Sequence, residues 1–324
     1  MIVRGFVVTA AAVVLPVAAT FAQPYPAKPI RVVVPLAAGG PGDVLARTLT
    51  PRVAEALGQP IVVDNRVGAN TNIGTEAVAK AAPDGYTLLL TASTLTINPS
   101  LYASVPYDAL RDFAPITLLA STPLVLVVHP SLPVQTVKEL IDHVRERPGQ
   151  LNYGSAGNGS TLHLAGEMFN TIAGVKMVHV PYKAVTGAVN DLLAGQLALM
   201  FPGAPIALPH ARAGKLRALA TTGARRAGAA PELPTVAEAG LAGYEIAVWY
   251  GLLAPAGTPA AIVDRLHAEF ARAVNLSETK ERWTPLGADP ITSTTNSPSE
   301  FANFLRVDLA KWAKVVKETG ARAE

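Results

Sequence analysis

Cysteine is absent from this chain of 324 residues. Its absence excludes disulfide bonds, thiolate catalysis and lipid attachment at an N-terminal cysteine. Charged residues make up only 16% of the chain, and 27 basic against 24 acidic residues leave a net charge of +3. No basic run is interleaved with aromatic residues, so the sequence gives no case for a nucleic-acid partner.

The common catalytic motifs are missing as well. A Gly-x-Ser-x-Gly nucleophile elbow, a Walker loop and a His-Glu-x-x-His pair do not occur, and the six histidines show no ligand spacing. Glycines 154, 157 and 159 weakly resemble a dinucleotide-binding loop, but no suitably placed acid follows. We therefore expect no catalytic residue, no metal site and no cofactor.

A long apolar run occurs only at the N-terminus. Arg4 precedes the apolar residues 6–17, and Thr20 to Ala22 occupy the cleavage positions. This pattern predicts a secretory signal peptide over residues 1–22, because Pro16 and the short run argue against a retained membrane helix. A buried first strand is the alternative. We expect a periplasmic protein without a lipid anchor.

The rest of the chain alternates between short apolar runs and helical patterns. Half of all residues are hydrophobic, and about 300 residues exceed one compact core. The alternation predicts α/β layers, with sheets that are mainly parallel and flanked by helices. We predict two lobes, residues 23–123 plus 248–324 and residues 124–247, joined by two crossover segments.

One stretch combines a strand, a glycine loop and a helix start. After Tyr153, three glycines lead to Ser160 or Thr161, either of which is a suitable N-cap for an amphipathic helix that Gly174 ends. The free N–H groups of a helix N-terminus can hold an anion. An ordinary strand-to-helix loop is the alternative. His163, one turn further, is either a ligand contact or a satisfied polar side chain.

The same arrangement occurs near the start of the mature chain. An apolar run at Ile30 to Val34 is followed by the glycine-rich residues 35–42, and a helix begins near Asp43. An aspartate at this position is either a helix cap or a carboxylate ligand. Ser93 and Thr94 follow a third apolar run, where open α/β sheets bind ligands. Two such loops could together hold a small acid between two closing lobes.

The residues that form these loops resemble a known family. The resemblance lies in residues 29–47 (PIRVVVPLAAGGPGDVLAR), 63–66 (VDNR), 72–76 (NIGTE), 84–86 (DGY), 153–160 (YGSAGNGS), 179–183 (HVPYK), 233–240 (LPTVAEAG) and 249–259 (WYGLLAPAGTP). These motifs are similar to those of the Bug-type extracytoplasmic binding proteins of tripartite tricarboxylate transporters, and they span essentially the whole mature chain.

The resemblance implies a two-lobed type II periplasmic-binding-protein fold. A protein of this kind captures a small carboxylate and hands it to a membrane permease, and we expect it to be a monomer. In the family, the loops that match residues 36–42 and 155–161 grip carboxylates through backbone N–H groups, hydroxyls and water. The loop that matches residues 91–98 also lines the cleft.

The chain departs from the family pattern at several cleft positions. Leucine replaces the usual aromatic residue at 36 and a frequent histidine at 95, glycine replaces serine or threonine at 42, and Pro202 stands where many members have an aspartate for a ligand's amino group. We therefore expect an unaminated mono- or dicarboxylate, which could be aromatic. The predicted ligand-binding residues are Leu36, Ala37, Gly40, Gly42, Asp43, Ser93, Thr94, Ala156, Gly157, Asn158, Ser160, Thr161, His163, Phe201, Pro202 and Trp249.

Two other functions stay open at this point. A ligand-loaded sensor subunit would have the same fold and pocket but would dock on a signalling protein. A secreted hydrolase or isomerase would use Asp43 or His163 and would turn its ligand over.

Overall fold

The computed structural model describes residues 25–292 and 296–322, so the predicted signal peptide at residues 1–22 lies outside it. The strands are β1 (Ile30–Val34), β2 (Ile61–Asn65), β3 (Thr87–Ala92), β4 (Phe113–Pro123), β5 (Val125–Val128), β6 (Asn152–Ser155), β7 (Val178–Pro181), β8 (Leu199–Met200), β9 (Arg217–Thr221), β10 (Ala247–Pro255) and β11 (Asp289–Pro290). The helices are α1 (Pro41–Leu57), α2 (Asn72–Ala79), α3 (Thr94–Leu101), α4 (Val137–Glu146), α5 (Thr161–Ala173), α6 (Val185–Leu193), α7 (Ala204–Arg212), α8 (Ala260–Val274), α9 (Ser277–Trp283) and α10 (Pro298–Thr319).

Six strands form the sheet of the first lobe, in the order β11-β4-β10-β3-β1-β2. Strand β1 lies parallel to β2 and β3, whereas β10 runs antiparallel to both β3 and β4. The C-terminal ends of β1 and β3 therefore lie at the same edge of the sheet. The loops at residues 35–40 and 93–94 begin at this edge.

Five strands form the sheet of the second lobe, in the order β7-β6-β8-β5-β9. Strand β6 lies parallel to β7 and β8, and β5 runs antiparallel to β8 and β9. Both sheets are thus mixed, because the strands that carry the chain between lobes run against their neighbours. Helices flank each sheet, and the predicted α/β class is confirmed.

The two connections between the sheets meet at Thr222. Only Leu124 separates β4 of the first sheet from β5 of the second. The Thr222 hydroxyl accepts the Leu124 N–H at 2.8 Å and lies 2.6 Å from the Ile246 carbonyl oxygen, just before β10. A single buried side chain therefore joins the outgoing and returning segments.

Helix α10 contacts both lobes. Phe301 and Leu305 pack into the first lobe, whereas Trp312 and Val315 pack into the core of the second. Asp308 lies between these two halves and is 3% exposed. Its carboxylate accepts the Trp249 indole N–H at 2.8 Å, the Thr96 hydroxyl at 2.6 Å and the Trp312 indole N–H at 3.1 Å.

Two elements differ from what their local sequence alone indicates. Helix α1 continues through Pro51 to Leu57 without being shortened. Proline removes one hydrogen bond there, but the apolar face of Leu45, Leu49 and Val53 remains buried on both sides of it. The Thr235 and Glu238 side chains cap each other's N–H groups at 3.0 Å, a pattern typical of a helix start, but the segment is only a turn. Gly240, with φ of +110°, stops the segment before a helix forms.

Among the residues described by the structure, no helix has the length and apolar character needed to cross a membrane.

Candidate functional site

The first glycine loop, residues 35–42, is braced by Asp43. This side chain is 3% exposed, and its carboxylate accepts the Gly39 N–H at 2.9 Å and the Arg47 Nε–H at 3.0 Å. Arg47 also donates to Asn65, whose amide donates to the Leu36 carbonyl oxygen at 3.1 Å. Burial acts to raise the pKa of the Asp43 carboxyl. Hydrogen bonds from Arg47, Gly39 and Asn65 together outweigh this effect and hold the pKa below its usual value. Asp43 lies in the first turn of α1, whose N-cap is Gly40, and it holds the loop as an ionised carboxylate.

Some amides of this loop are committed to internal hydrogen bonds and others are not. The Gly39 N–H binds Asp43, and the Gly40 N–H binds the Ala37 carbonyl oxygen at 3.1 Å. Within the described residues, the N–H groups of Ala37, Ala38, Gly42 and Asp43 have no acceptor. The last two open α1, where unpaired N–H groups and the helix dipole favour an anion.

The Leu36 side chain occupies the space that a side chain at position 42 would need. A Cβ atom on Gly42 would collide with Leu36 Cδ1 and would lie 3.3 Å from the Tyr250 ring. Because Gly42 has no side chain, the leucine can fold against the start of α1. Leu36 and Gly42 therefore form one packing arrangement, which their spacing in the sequence does not indicate.

Ser93 and Thr94 lie where β3 passes into α3, at the same sheet edge as the first loop. Ser93 is 1% exposed, and the Thr94 hydroxyl accepts the Thr71 hydroxyl at 2.9 Å. Residues 69–71 have φ of +44°, +49° and +78°, a conformation that is costly for residues other than glycine. The buried Asn98 amide stabilises this turn by donating to the Asn70 carbonyl oxygen at 2.7 Å.

This strained turn was not among the predicted site residues. The only sequence signal was the polar loop from Gly68 to Asn72, and the left-handed conformation depends on tertiary contacts from α3.

The second glycine loop, residues 156–160, joins β6 to α5. Ser160 is the N-cap and accepts the His163 N–H at 3.3 Å, as expected from the sequence. Gly157 and Gly159 have φ of +105° and +75°, which accounts for glycine at both positions. The Gly157 N–H binds the Ser155 hydroxyl at 3.0 Å. The N–H groups of Ala156, Asn158 and Thr161 have no acceptor within residues 25–292 and 296–322.

His163 lies beneath this loop and is 8% exposed. Its Nδ1 accepts the Gly159 N–H at 3.0 Å, and its ring stacks on His179 with centroids 3.9 Å apart. His179 Nε2 lies 2.6 Å from the Ser155 hydroxyl, which in turn contacts Gly157. Burial lowers the pKa of His163, and burial together with His163 lowers the pKa of His179 to about 4.

The second loop lies against the first lobe. A Cβ atom on Gly159 would be 3.0 Å from Leu101 Cδ1, at the end of the helix that Ser93 and Thr94 begin. Leu101 also belongs to the hydrophobic cluster that contains Leu164 and Ala165 of α5. The structure thus brings Gly159 of the second loop to helix α3, which starts at the sheet edge that carries the first loop.

Three further predicted ligand contacts, Phe201, Pro202 and Trp249, are buried residues. Phe201 is fully buried against Phe169 and Tyr244, and the Pro202 carbonyl oxygen accepts the Val125 N–H at 2.8 Å. Trp249 is 3% exposed and packs edge-on against aromatic rings of α10.

Tyr250 is the residue of β10 that contacts the first loop. Successive strand residues point to opposite faces, so Trp249 faces α10 while the Tyr250 ring approaches Gly42. Its hydroxyl has no hydrogen-bond partner among the described residues, and burial raises its pKa to about 12. Tyr250 thus keeps a proton for donation at neutral pH. Trp249, which the sequence predicts as a ligand contact, lies on the opposite face of β10.

A separate cavity of about 530 Å³ lies beside the crossover strands. It is bordered by both lobes, and its charged residues include Arg225, Arg226 and Lys280. Of the predicted ligand-binding residues, only Trp249 lines it. No residue of either glycine loop lines this cavity, so the unpaired amides and the cavity are different features. In the described ranges, no group of three histidine, aspartate or glutamate residues could hold a metal ion.

Comparison with known proteins places this geometry in a family. The profile described as "Tripartite tricarboxylate transporter family receptor" matches residues 45–321. Protein BugT of Bordetella pertussis is 38% identical over 322 residues, which cover 99% of this chain and 97% of BugT.

Two solved structures are similar over nearly their full length. R. palustris Rpa4515, determined with adipate, is 37% identical with a TM-score of 0.74, over 92% of this chain and 99% of that one. MatC from Rhodopseudomonas palustris, with bound malate, is 33% identical with a TM-score of 0.70, over 90% of this chain and all of that one.

These matches confirm the two-lobed periplasmic-binding-protein fold. They also favour a binding protein over a hydrolase or isomerase, because the family consists of solute-binding receptors. The chain therefore belongs to the Bug-type receptors of the tripartite tricarboxylate transporter family, which are extracytoplasmic solute-binding proteins.

Proposed function

We propose that this protein captures a small carboxylate between its lobes and delivers it to the permease subunits of a tripartite tricarboxylate transporter. The lobes are residues 23–123 plus 248–324 and residues 124–247, and the mature chain acts as a periplasmic monomer after removal of residues 1–22. The observation that carries the proposal is the set of unpaired amides at the starts of α1 and α5.

The number of available donors is sufficient for useful affinity. A hydrogen bond to a charged group contributes about 1.5 to 3 kcal/mol, and a helix N-terminus adds about 0.3 to 1 kcal/mol per charge. Micromolar affinity requires about 8 kcal/mol. Four or five bonds from the two loops would provide it without an arginine. The Tyr250 hydroxyl is a further donor beside the first loop.

The ligand class follows from the departures in the cleft. Proline at 202 supplies no carboxylate for an amino group, and the Leu36 side chain adds apolar surface to the first loop. Rpa4515 with adipate and MatC with malate are relatives determined with acids that lack an amino group. We therefore propose an unaminated mono- or dicarboxylate.

Paired ligands test this proposal. Calorimetric titration would compare malate with aspartate and adipate with 2-aminoadipate, so that each pair differs chiefly in the amino group. We expect the plain acid of at least one pair to bind, and to bind more tightly than its aminated partner. Tighter binding of the amino acids would contradict the proposed ligand class, and no binding by any carboxylate across a broad panel would contradict the function.

The partner requires a separate experiment. Ligand-loaded protein immobilised on a resin would be presented with detergent-solubilised permease subunits and with a membrane sensor kinase. Retention of the permease is expected, whereas retention of the kinase alone would indicate the signalling role.

A further inference from the structure

His163 is connected to the second glycine loop through its ring as well as its backbone. The Gly159 N–H points at Nδ1 from 3.0 Å. An N–H group can donate only to a ring nitrogen that carries no proton, so Nδ1 is the acceptor and Nε2 carries the hydrogen of the neutral ring. Gly159 is thereby tied to the first turn of α5.

The surroundings hold this ring in one orientation. His179 stacks on it at 3.9 Å, with the planes inclined by 23°, and Tyr153 lies 5.1 Å beyond His179. The Tyr153 hydroxyl donates to Glu167 Oε1 at 2.6 Å and lies 3.2 Å from the His163 carbonyl oxygen. Three rings in series, from β6, β7 and α5, thus lie beneath the loop, and of these the two histidine rings are stacked.

Hydrogen bonds within the loop leave specific amides for a ligand. Gly157 is bonded to Ser155 and Gly159 to His163, while the amides of Ala156, Asn158 and Thr161 have no acceptor among the described residues. The bonded amides fix the two left-handed glycines. Their orientation sets the direction of the unpaired amides between and after them.

We propose that His163 is a positioning residue of the carboxylate site: its unprotonated Nδ1 holds Gly159 so that the neighbouring amides face the cleft, and protonation of Nδ1 releases the loop. This inference rests on the proposed function. It differs from a direct ligand contact, because the ring acts through the backbone and must be neutral to do so.

The charges near the ring set the pH at which the loop is released. Burial lowers the pKa of His163, whereas Glu167 acts to raise it, and burial is the larger effect. His179, the other titratable group in contact, has its pKa lowered to about 4 by burial and by His163. His179 can donate to or accept from the Ser155 hydroxyl, so its protonation is compatible with the loop. The release therefore depends on His163.

Two substitutions distinguish the role of the hydrogen-bond acceptor at position 163 from the role of the titrating ring. In His163→Asn, the amide oxygen stands as many bonds from the backbone as Nδ1, so it can accept the Gly159 N–H without titrating. His163→Leu retains apolar bulk but offers no acceptor. His210→Asn is the matched control, because His210 lies on α7, outside both glycine loops.

Affinity for malate and adipate, measured by calorimetry at pH 7.5, is the first measurement. We expect His163→Leu to bind at least about tenfold more weakly, as for loss of one buried hydrogen bond, and His163→Asn to recover most of this loss. Equal affinities in the leucine variant and in the protein with His163 would overturn the proposal.

The same titrations at lower pH separate positioning from direct charge contact. Protonation of the probe itself affects every protein equally, so the ratio of the dissociation constants with His163 and with His163→Asn isolates the ring. We expect the protein with His163 to lose affinity relative to the asparagine variant as pH falls below the lowered pKa. A relative gain would show the imidazolium contacting the carboxylate directly and would overturn the proposal.

A ligand-free measurement distinguishes failure of this inference from failure of the proposed function. Amide hydrogen exchange at Gly159, followed by NMR, should be slow with His163 or Asn at 163 and at least about tenfold faster with Leu. In acid, its protection relative to the intrinsic exchange rate at the same pH should fall only when His163 is present. Identical Gly159 exchange in the leucine variant would refute the positioning role even if the carboxylates bind. If no probe binds but the exchange results hold, the proposed function fails and the contact from His163 to the loop stands.

Discussion

Replacing Gly159 with alanine tests the shape of the second glycine loop. Gly159 has φ of +75°, and a Cβ atom there would lie 3.0 Å from Leu101 Cδ1 in the first lobe. Gly149 has the same φ of +75°, but a Cβ atom at Gly149 would have no neighbouring atom within 4 Å. Gly149→Ala is therefore a control with the same backbone strain and no contact across the lobes.

The expected magnitudes follow from these two environments. A left-handed conformation costs a non-glycine residue about 1 to 2 kcal/mol, so both variants should lose about that much free energy of unfolding. Gly159→Ala must also displace Leu101 or the loop, because 3.0 Å is well inside normal carbon contact distances. Moving the loop would misalign the amides around Asn158, and loss of even one charged hydrogen bond would weaken binding at least about tenfold.

The assay combines urea denaturation with calorimetric titration of the tightest-binding carboxylate. We expect Gly149→Ala to bind as the unsubstituted protein does and Gly159→Ala to bind at least about tenfold more weakly. Unchanged affinity in Gly159→Ala, together with the expected loss of stability, would refute the assignment of this loop to the ligand site.

Further predictions concern the surrounding supports. Asp43→Ala leaves the Gly39 amide without its acceptor, so the free energy of unfolding should fall by about 1 to 3 kcal/mol in urea and affinity should fall with it; unchanged affinity would contradict the bracing role. Tyr250→Phe should lower affinity about threefold to tenfold by calorimetry without a loss of stability, whereas no change would show that the hydroxyl does not reach the ligand. The depressed pKa of His179, about 4 against 6.5, means that the unfolded chain binds the proton first, so stability is complete above about pH 6.5 and declines toward pH 4. Between pH 7 and pH 5, proton uptake by His179 should lower the free energy of unfolding by about 1 kcal/mol, after allowance for the partly exposed ring. Urea denaturation at the two pH values measures this loss, and a His179→Gln variant with the same pH dependence would refute this cause. Asp308→Asn should cost about 2 to 4 kcal/mol because the buried carboxylate serves Trp249 and other donors, and a loss below about 0.5 kcal/mol would contradict its role between the lobes.

Local sequence signals were sufficient to predict the two strand–loop–helix units. In the second unit, the glycines, the Ser160 cap and the amphipathic run to Gly174 lie within one continuous stretch, and β6 and α5 have that form. The antiparallel pairings of the crossover strands were less apparent, because apolar runs do not encode strand direction. The Thr235 capping box did form, but the segment that it begins is too short to become a helix.

The details of the candidate site depend on contacts between distant residues. His163 and His179 lie on α5 and β7, and nothing in their spacing predicts that their rings stack. Whether Trp249 or Tyr250 contacts the first glycine loop depends on which face of β10 meets α1. The register shift beside Tyr250 makes that face hard to infer from the alternation of residues along the strand. The coupling of Leu36 to Gly42 requires the loop to fold back on the helix start.

A crystal structure of the protein with adipate, or with the carboxylate that stabilises it most in a thermal screen, would test the central claim most directly. We predict that the carboxylate oxygens lie about 2.7 to 3.2 Å from backbone nitrogens of both loops, residues 36–43 and 156–161. A ligand held by only one of these loops, or bound in the separate cavity beside Arg225 and Arg226, would contradict the account.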